Sequence, residues 1–486
     1  MSLREKTILG LRWSAAQNWG SQLGSLLVFL LLARLLAPEV FGLLAFANVL
    51  LAFLLLGVDL GLGQALVQRQ ALEPGHPISA FWLQVTFGAA LVVVCMAAAG
   101  PVAAALAQPE LADVLRGLSL VLVVSASGRV PAALLRREFA FRALAIASVV
   151  GILASAVVAI GMALRGFGVW SLVGQQLTYE AVSVTVLWVG SGWRPRVAAS
   201  RRHLRELFGF GVHVSAFQLL QLLSRRADHF LVGYFLGEVA LGYYSVAHRV
   251  LQVMTQVLVS TIKQVALPTL ARLQADRGRL REVLVRGSAL AGLVGFPTFL
   301  GTAAVAPELI PLLFGGQWLP AIPLIQILAL AGIVASINAL LENVLLATGR
   351  PAERLRLGAI NAAVALVACG VAVRWGVTAV AAAYVSSQIV MLPLVHRAAA
   401  RAAHAEGTRS LRSVAVPLLA ATCMAGLVIA GRPLLLPALG PLAFLALSIV
   451  GGAAVYATLI RLAAPGLFAE FRELARIAAR GADPLT

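Results

Sequence analysis

Fourteen apolar stretches follow one another along the chain with only short loops between them, and that succession decides what it can fold into. They fall at roughly 10–36, 41–65, 79–99, 112–135, 142–164, 168–190, 207–236, 239–266, 284–306, 319–347, 354–373, 376–397, 412–430 and 440–461. About twenty apolar residues are what a helix needs to cross a bilayer. In hydrocarbon the helix also satisfies its own backbone hydrogen bonds. Composition agrees: 60% of the 486 residues are apolar and 12% charged, against roughly 45–50% and about 25% in soluble domains. The expectation is an all-α polytopic membrane protein with about fourteen transmembrane helices. A soluble enzyme, a secreted disulfide scaffold and a disordered chain are excluded. The first run continues to Leu36 without a small-residue cleavage site, so it reads as a retained helix and not a signal peptide.

Charge is uneven. The chain holds 38 Lys+Arg against 20 Asp+Glu, a net +18, which in a soluble protein would point to nucleic acid. Sorted by loop, 28 of these bases fall on one side, among them Arg69, Arg136, Arg137, Arg194, Arg201, Arg202, Arg350 and Arg472. Only five, Arg34, Arg116, Arg165, Arg374 and Arg432, fall on the other. Positive residues collect on the cytoplasmic side. Both termini are therefore expected in the cytoplasm of a multi-pass membrane protein, and no nucleic-acid partner is needed. The tail Phe471–Arg480 reads as a basic amphipathic helix lying on membrane lipid. Cys95, Cys369 and Cys423 lie in apolar runs without metal-ligand spacing and read as packed thiols.

An internal repeat organises the chain. At an offset of 200 residues, Leu31, Leu36, Gly42 and Ala47 recur as Leu231, Leu236, Gly242 and Ala247, each set placed at the turn between two long helices. A fainter echo links Arg165-Gly166-Phe167-Gly168-Val169 with Arg374-Trp375-Gly376-Val377. The expected organisation is an N-terminal six-helix bundle over 1–200 and a second over 201–405. Transmembrane helices 13 and 14 follow over 406–465, then a basic cytoplasmic tail over 466–486. Parallel repeats of this kind frame a substrate path and move by alternating access, which points to a transporter.

Five bases remain inside the apolar runs: Arg129, Arg225, Arg226, Arg249 and Lys263. Intramembrane charge is costly and marks function by default. At 1.5 Å per residue, Arg225 and Arg226 lie about 17 Å below the outer end of their helix, and Arg249 about 15 Å. A cationic cavity for an anionic substrate follows, with His248 beside Arg249, because the planar guanidinium suits phosphate. The competing reading pairs Arg225 or Arg226 with Asp228, and Arg249 with Glu180, merely to neutralise buried charge. Arg129 and Lys263 are substrate-binding candidates that can equally snorkel to headgroups. Glu180, Asp228, Asp59 and Glu342 are candidates for coupling or charge pairing, with helix capping the competing role for Asp59 and Glu342. Gln17, Asn18 and Gln22 form one polar stripe that lines the cavity or joins helices. No nucleophile, metal or phosphate-loop motif occurs, so no catalytic residue, metal or cofactor is expected beyond a coupling H+ or Na+.

Three segments together resemble a known family: Leu32–Leu43, Asp228–Arg249, and Ala306–Trp318 followed by Ala347-Thr348-Gly349-Arg350-Pro351. They are similar to the Wzx-type, colanic-acid-exporter-like polysaccharide and lipopolysaccharide flippases of the multidrug/oligosaccharidyl-lipid/polysaccharide (MOP) exporter superfamily. The resemblance implies two six-helix bundles in a V plus two helices. It also implies flipping of undecaprenyl-pyrophosphate-linked glycan from the cytoplasmic to the periplasmic leaflet, through a cation-lined cavity, alongside a polysaccharide polymerase and export machinery. Tyr234 departs from the basic residue that the resemblance leads one to expect there. The alternatives are an ion-coupled drug or small-molecule antiporter of the same superfamily, and a membrane-embedded glycan polymerase or ligase. The net positive midplane argues against the first. The second should carry a sizeable periplasmic loop, and the longest outer loop expected here, Ala306–Leu319, holds only Glu308.

Overall fold

The computed structural model describes residues 20–196, 200–273, 277–403 and 407–480. Regular structure among them is entirely helical. Two compact units divide between Ser245 and Val246.

The first unit contains α1 (Gly20–Leu35), α2 (Pro38–Asp59), α3 (Leu62–Gln68), α4 (Gly75–Ala105), α5 (Glu110–Arg137), α6 (Phe141–Leu164) and α7 (Val169–Ser191). It ends with the opening part of the long helix α8 (Arg201–Leu273). Within it α4 packs on α5, α6 on α7, and α5 on both α2 and α7. The second unit takes the remainder of α8, then α9 (Arg277–Phe314), α10 (Ile322–Ala347), α11 (Pro351–Ala372), α12 (Val377–Ala402), α13 (Gly407–Ala463) and α14 (Pro465–Arg480). Here α13 packs on α9, and α10 on α9 and α12.

Ten helices among the described residues are long and apolar enough to cross a membrane. Two of these spans carry a break: α8 at Gly237 (φ 82°) and α13 at Gly440 (φ 75°). Glycine alone adopts that conformation without a Cβ clash. The Gly237 break falls between two of the expected runs, and the Gly440 break falls at the start of the last one. The remaining shortfall from fourteen concerns α1, described only from Gly20, and α7, which carries Gln175, Gln176, Thr178 and Glu180. The helical surface is apolar, with Val157, Leu434 and Leu462 each at least 75% exposed. Such a surface belongs in lipid, because water penalises contiguous exposed hydrocarbon.

Two expected boundaries move. The run expected as one helix over 41–65 is divided at Leu60 (φ 46°) and Gly61 (φ 66°), leaving α3 as a short separate helix. The outer loop expected over Ala306–Leu319 is largely helical. Here α9 continues through Pro307 and Pro311 to Phe314, and a 3-10 turn covers Gly316–Ala321. Prolines are tolerated inside membrane helices because neighbouring groups take up the freed backbone.

Candidate functional site

Gly42 and Gly242, the repeat's paired glycines, meet in the first unit. A Cβ on Gly42 would lie 1.7 Å from the Glu238 carbonyl oxygen, and one on Gly242 would lie 2.1 Å from that of Pro38. Pro38 and Glu238 are themselves 200 residues apart, so the contact is reciprocal: each turn presses its glycine on its counterpart's backbone. The Phe46 and Phe230 rings lie 5.7 Å apart, tilted by 41°.

Asp228 lies on the part of α8 that follows Arg225 and Arg226, and it is buried. Its Oδ2 accepts the Tyr244 hydroxyl at 2.8 Å. Its Oδ1 accepts the His229 backbone N–H at 2.8 Å and faces His229 Nδ1 at 3.0 Å. A buried carboxylate with this many donors is strongly held. Arg225 is exposed and Arg226 half-buried.

The first unit also brings two ionisable groups into electrostatic reach across packed helices. Arg129 on α5 is the charged neighbour of Glu180 on α7. Its Nε is buried without a hydrogen-bond partner among the described residues. The sequence reading set Glu180 against Arg249. The structure places Arg129 within electrostatic reach of it, an association that sequence order conceals.

In the second unit Arg249 and His248 are half-buried on α8. The His248 ring lies 5.6 Å from Tyr384 of α12. One turn along α12, Gln388 Oε1 accepts the Asn361 side-chain N–H of α11 at 3.3 Å. Glu342 pairs with Arg354 at 3.0 Å, tying α10 to α11. Asp59 sits at the break before α3, where its carbonyl accepts Gln84 Nε2 at 3.2 Å. Gln22 is half-buried on α1. Gln17, Asn18 and the Lys263 side chain lie outside the described residues.

Two clusters were missed in the sequence. Glu308 is buried on α9 and meets Arg432 of α13, with Nε to Oε1 at 2.8 Å. The other cluster joins the α3–α4 turn to the start of α8. The Glu73 backbone N–H donates to His76 Nδ1 at 3.1 Å, so Nε2 carries the proton and donates to Glu206 Oε2 at 3.1 Å. Arg69 and Arg202 also pair with Glu206. His203 Nε2 meets Glu73 Oε2 at 2.9 Å. The hydrogen bond from His76, then that from Arg202, hold the Glu206 carboxyl down at about 2. His203 likewise holds Glu73 below its ordinary range. The sequence signal was the turn Glu73-Pro74-Gly75-His76 together with the i, i+4 pair Arg202 and Glu206, each ordinary alone.

Residues 31–323 match the polysaccharide biosynthesis protein family. The chain belongs to this family. The match takes in Arg129, Glu180, Arg225, Asp228 and Arg249. Among relatives, the succinoglycan biosynthesis transport protein ExoT of Rhizobium meliloti (strain 1021) is 29% identical over 66% of this chain and 65% of its own length. This chain therefore spans slightly under two thirds of that relative. The lipopolysaccharide biosynthesis protein WzxC of Escherichia coli (strain K12) is 25% identical over 72% of each chain. The teichuronic acid biosynthesis protein TuaB of Bacillus subtilis (strain 168) is 23% identical over 72% of this chain and 73% of its own. In fold, the chain is similar to the lipid II flippase MurJ in an inward closed conformation. The TM-score is 0.73 at 12% identity, covering 96% of this chain and 100% of that one. An inward-facing MATE-family multidrug resistance transporter of the MOP superfamily gives 0.60 at 15% identity, over 79% and 95%. The chain thus shares the helical membrane fold of these two proteins, and its named relatives are biosynthesis or transport proteins of succinoglycan, lipopolysaccharide and teichuronic acid.

Proposed function

We propose that this member of the polysaccharide biosynthesis protein family flips a polyprenyl-pyrophosphate-linked oligosaccharide, of the undecaprenyl type, across the bacterial inner membrane by alternating access. The observation that carries the reading is the family match over residues 31–323, because that span holds the intramembrane arginines an anionic headgroup requires. Pyrophosphate contacts are assigned to Arg225 and Arg226 in the first unit and, separately, to Arg249 and His248 in the second. Arg129 and Lys263 extend the basic path toward the cytoplasmic face. Asp228 and Glu180 are the acids for proton or Na+ coupling, while Glu342 is occupied by Arg354. Both termini are cytoplasmic on this reading, the repeats over 1–200 and 201–405 are the moving bodies, and a polymerase receives the flipped product.

The MATE-like fold is what favours a second reading, ion-coupled antiport of a small molecule. A chromosomal deletion separates the two. Loss of surface polymer with lipid-linked oligosaccharide accumulating on the cytoplasmic leaflet, restored by the intact gene, is the expected result. Normal polymer in the deletion strain, with altered sensitivity to cationic drugs, overturns the flippase reading.

A further inference from the structure

The turn between α3 and α4 and the start of α8 bring two imidazoles and a carboxylate together, in a part of the first unit that the transport reading does not use. One ligand atom from each of Glu73, His76 and His203 lies within 4.8 Å of the others. The two rings are 4.6 Å apart, edge to face. We propose that Glu73, His76 and His203 form a binding site for a divalent transition-metal cation of the Zn2+ class.

The donor set supports this. Two histidines and one glutamate are the three protein ligands of an open zinc site, with a fourth position left for water. Charge is apportioned in the same sense. Glu206 is already engaged by Arg69 and Arg202, which leaves Glu73, whose hydrogen-bond partner is the His203 imidazole, as the carboxylate for the cation. Glu206 accepts the hydrogen bond from the His76 Nε2–H, as an outer carboxylate does behind a ligating imidazole. That leaves Nδ1 as the lone-pair nitrogen, and binding exchanges its hydrogen bond from the Glu73 N–H for a metal bond.

His203 is free to ligate. Its Nδ1 is buried without a hydrogen-bond partner among the described residues, so only Glu73 fixes the position of its proton. Gly75 makes room for the ring, since a Cβ there would lie 2.3 Å from His203 Cε1. A bound ion would clamp the α3–α4 turn to the first turn of α8 and hold the two segments at one spacing.

The test uses the full chain in detergent, purified without a histidine tag and with Cys423→Ser to remove the exposed thiol. After chelation and desalting it is titrated with ZnCl2 or MgCl2, and retained metal and the unfolding midpoint are measured. One equivalent of zinc per chain with a raised midpoint, and no effect of Mg2+, is expected. Glu73→Gln and His203→Gln should each weaken zinc binding at least about tenfold. Glu73 is exposed, so its variant keeps the fold even if the histidine variant does not. No retained zinc in the parent chain, or equal retention in Glu73→Gln, overturns the site.

Discussion

Gly42 and Gly242 touch each other's turn, each lying where a single added methyl would strike the counterpart's backbone carbonyl. Backbone cannot swing aside as a side-chain tip can, so the whole turn must move. Gly42→Ala and Gly242→Ala are each expected to cost at least the upper part of the ~1–3 kcal/mol typical of overpacking. Because both strain one contact, the double variant should cost less than the sum. Thermal unfolding of the three proteins in detergent checks this; strictly additive losses would mean that the two glycines act separately.

Arg249 is expected to tolerate no uncharged replacement. Arg249→Ala should abolish surface polysaccharide while the protein still reaches the membrane, and Arg249→Lys should restore only part, because lysine keeps the charge without the two-pronged guanidinium. Arg225→Ala should behave likewise. Polymer yield and membrane abundance are measured side by side, and normal polymer from both alanine variants would remove these residues from the substrate path.

Arg129 and Glu180 answer each other across α5 and α7. Removing either should strand the other charge inside the bilayer, which costs more than removing both. Arg129→Met and Glu180→Gln are each expected to lower the yield of folded protein, with the double variant recovering much of it. Fluorescence-detected gel filtration reads this directly; a double variant worse than both singles would deny the pairing.

Glu206 should contribute stability that acid removes. Its carboxyl is held at about 2 against an ordinary 4.5, so the folded state keeps it ionised where the unfolded chain has begun to protonate. The contribution is therefore complete above about pH 4.5 and is lost as pH falls toward 2. Measured in chelator, Glu206→Gln should be less stable than the parent at pH 7, the difference closing over that window. A difference unchanged down to pH 2 would contradict the network.

Much of the fold was legible because the bilayer imposes a long, one-dimensional signal. Each apolar run had to be a helix, and the breaks at Gly237 and Gly440 fall at the boundaries of expected runs. The boundary at Leu60 was less legible, since a non-glycine residue with positive φ carries no compositional mark. The continuation of α9 past Pro307 was hidden for the opposite reason, as proline stops helices in water more reliably than in lipid. Among the site residues, Glu342 revealed its polar character in sequence but not its partner Arg354, and Glu308 gave no hint of Arg432.

The sequence alone determined that the chain is a multi-pass membrane protein, and it pointed to a repeat at a 200-residue spacing and to a few cations within apolar runs. Those are consequences of hydrophobicity and spacing, which are local. Tertiary structure decided which groups come together: Arg129 within electrostatic reach of Glu180, Asp228 with Tyr244, His76 and His203 around Glu73, and Gly42 against Gly242. Such pairings depend on which helix faces pack together, and lipid-facing and partner-facing residues are equally apolar. In hydrocarbon, the periodicity that reveals a buried face in water is largely erased.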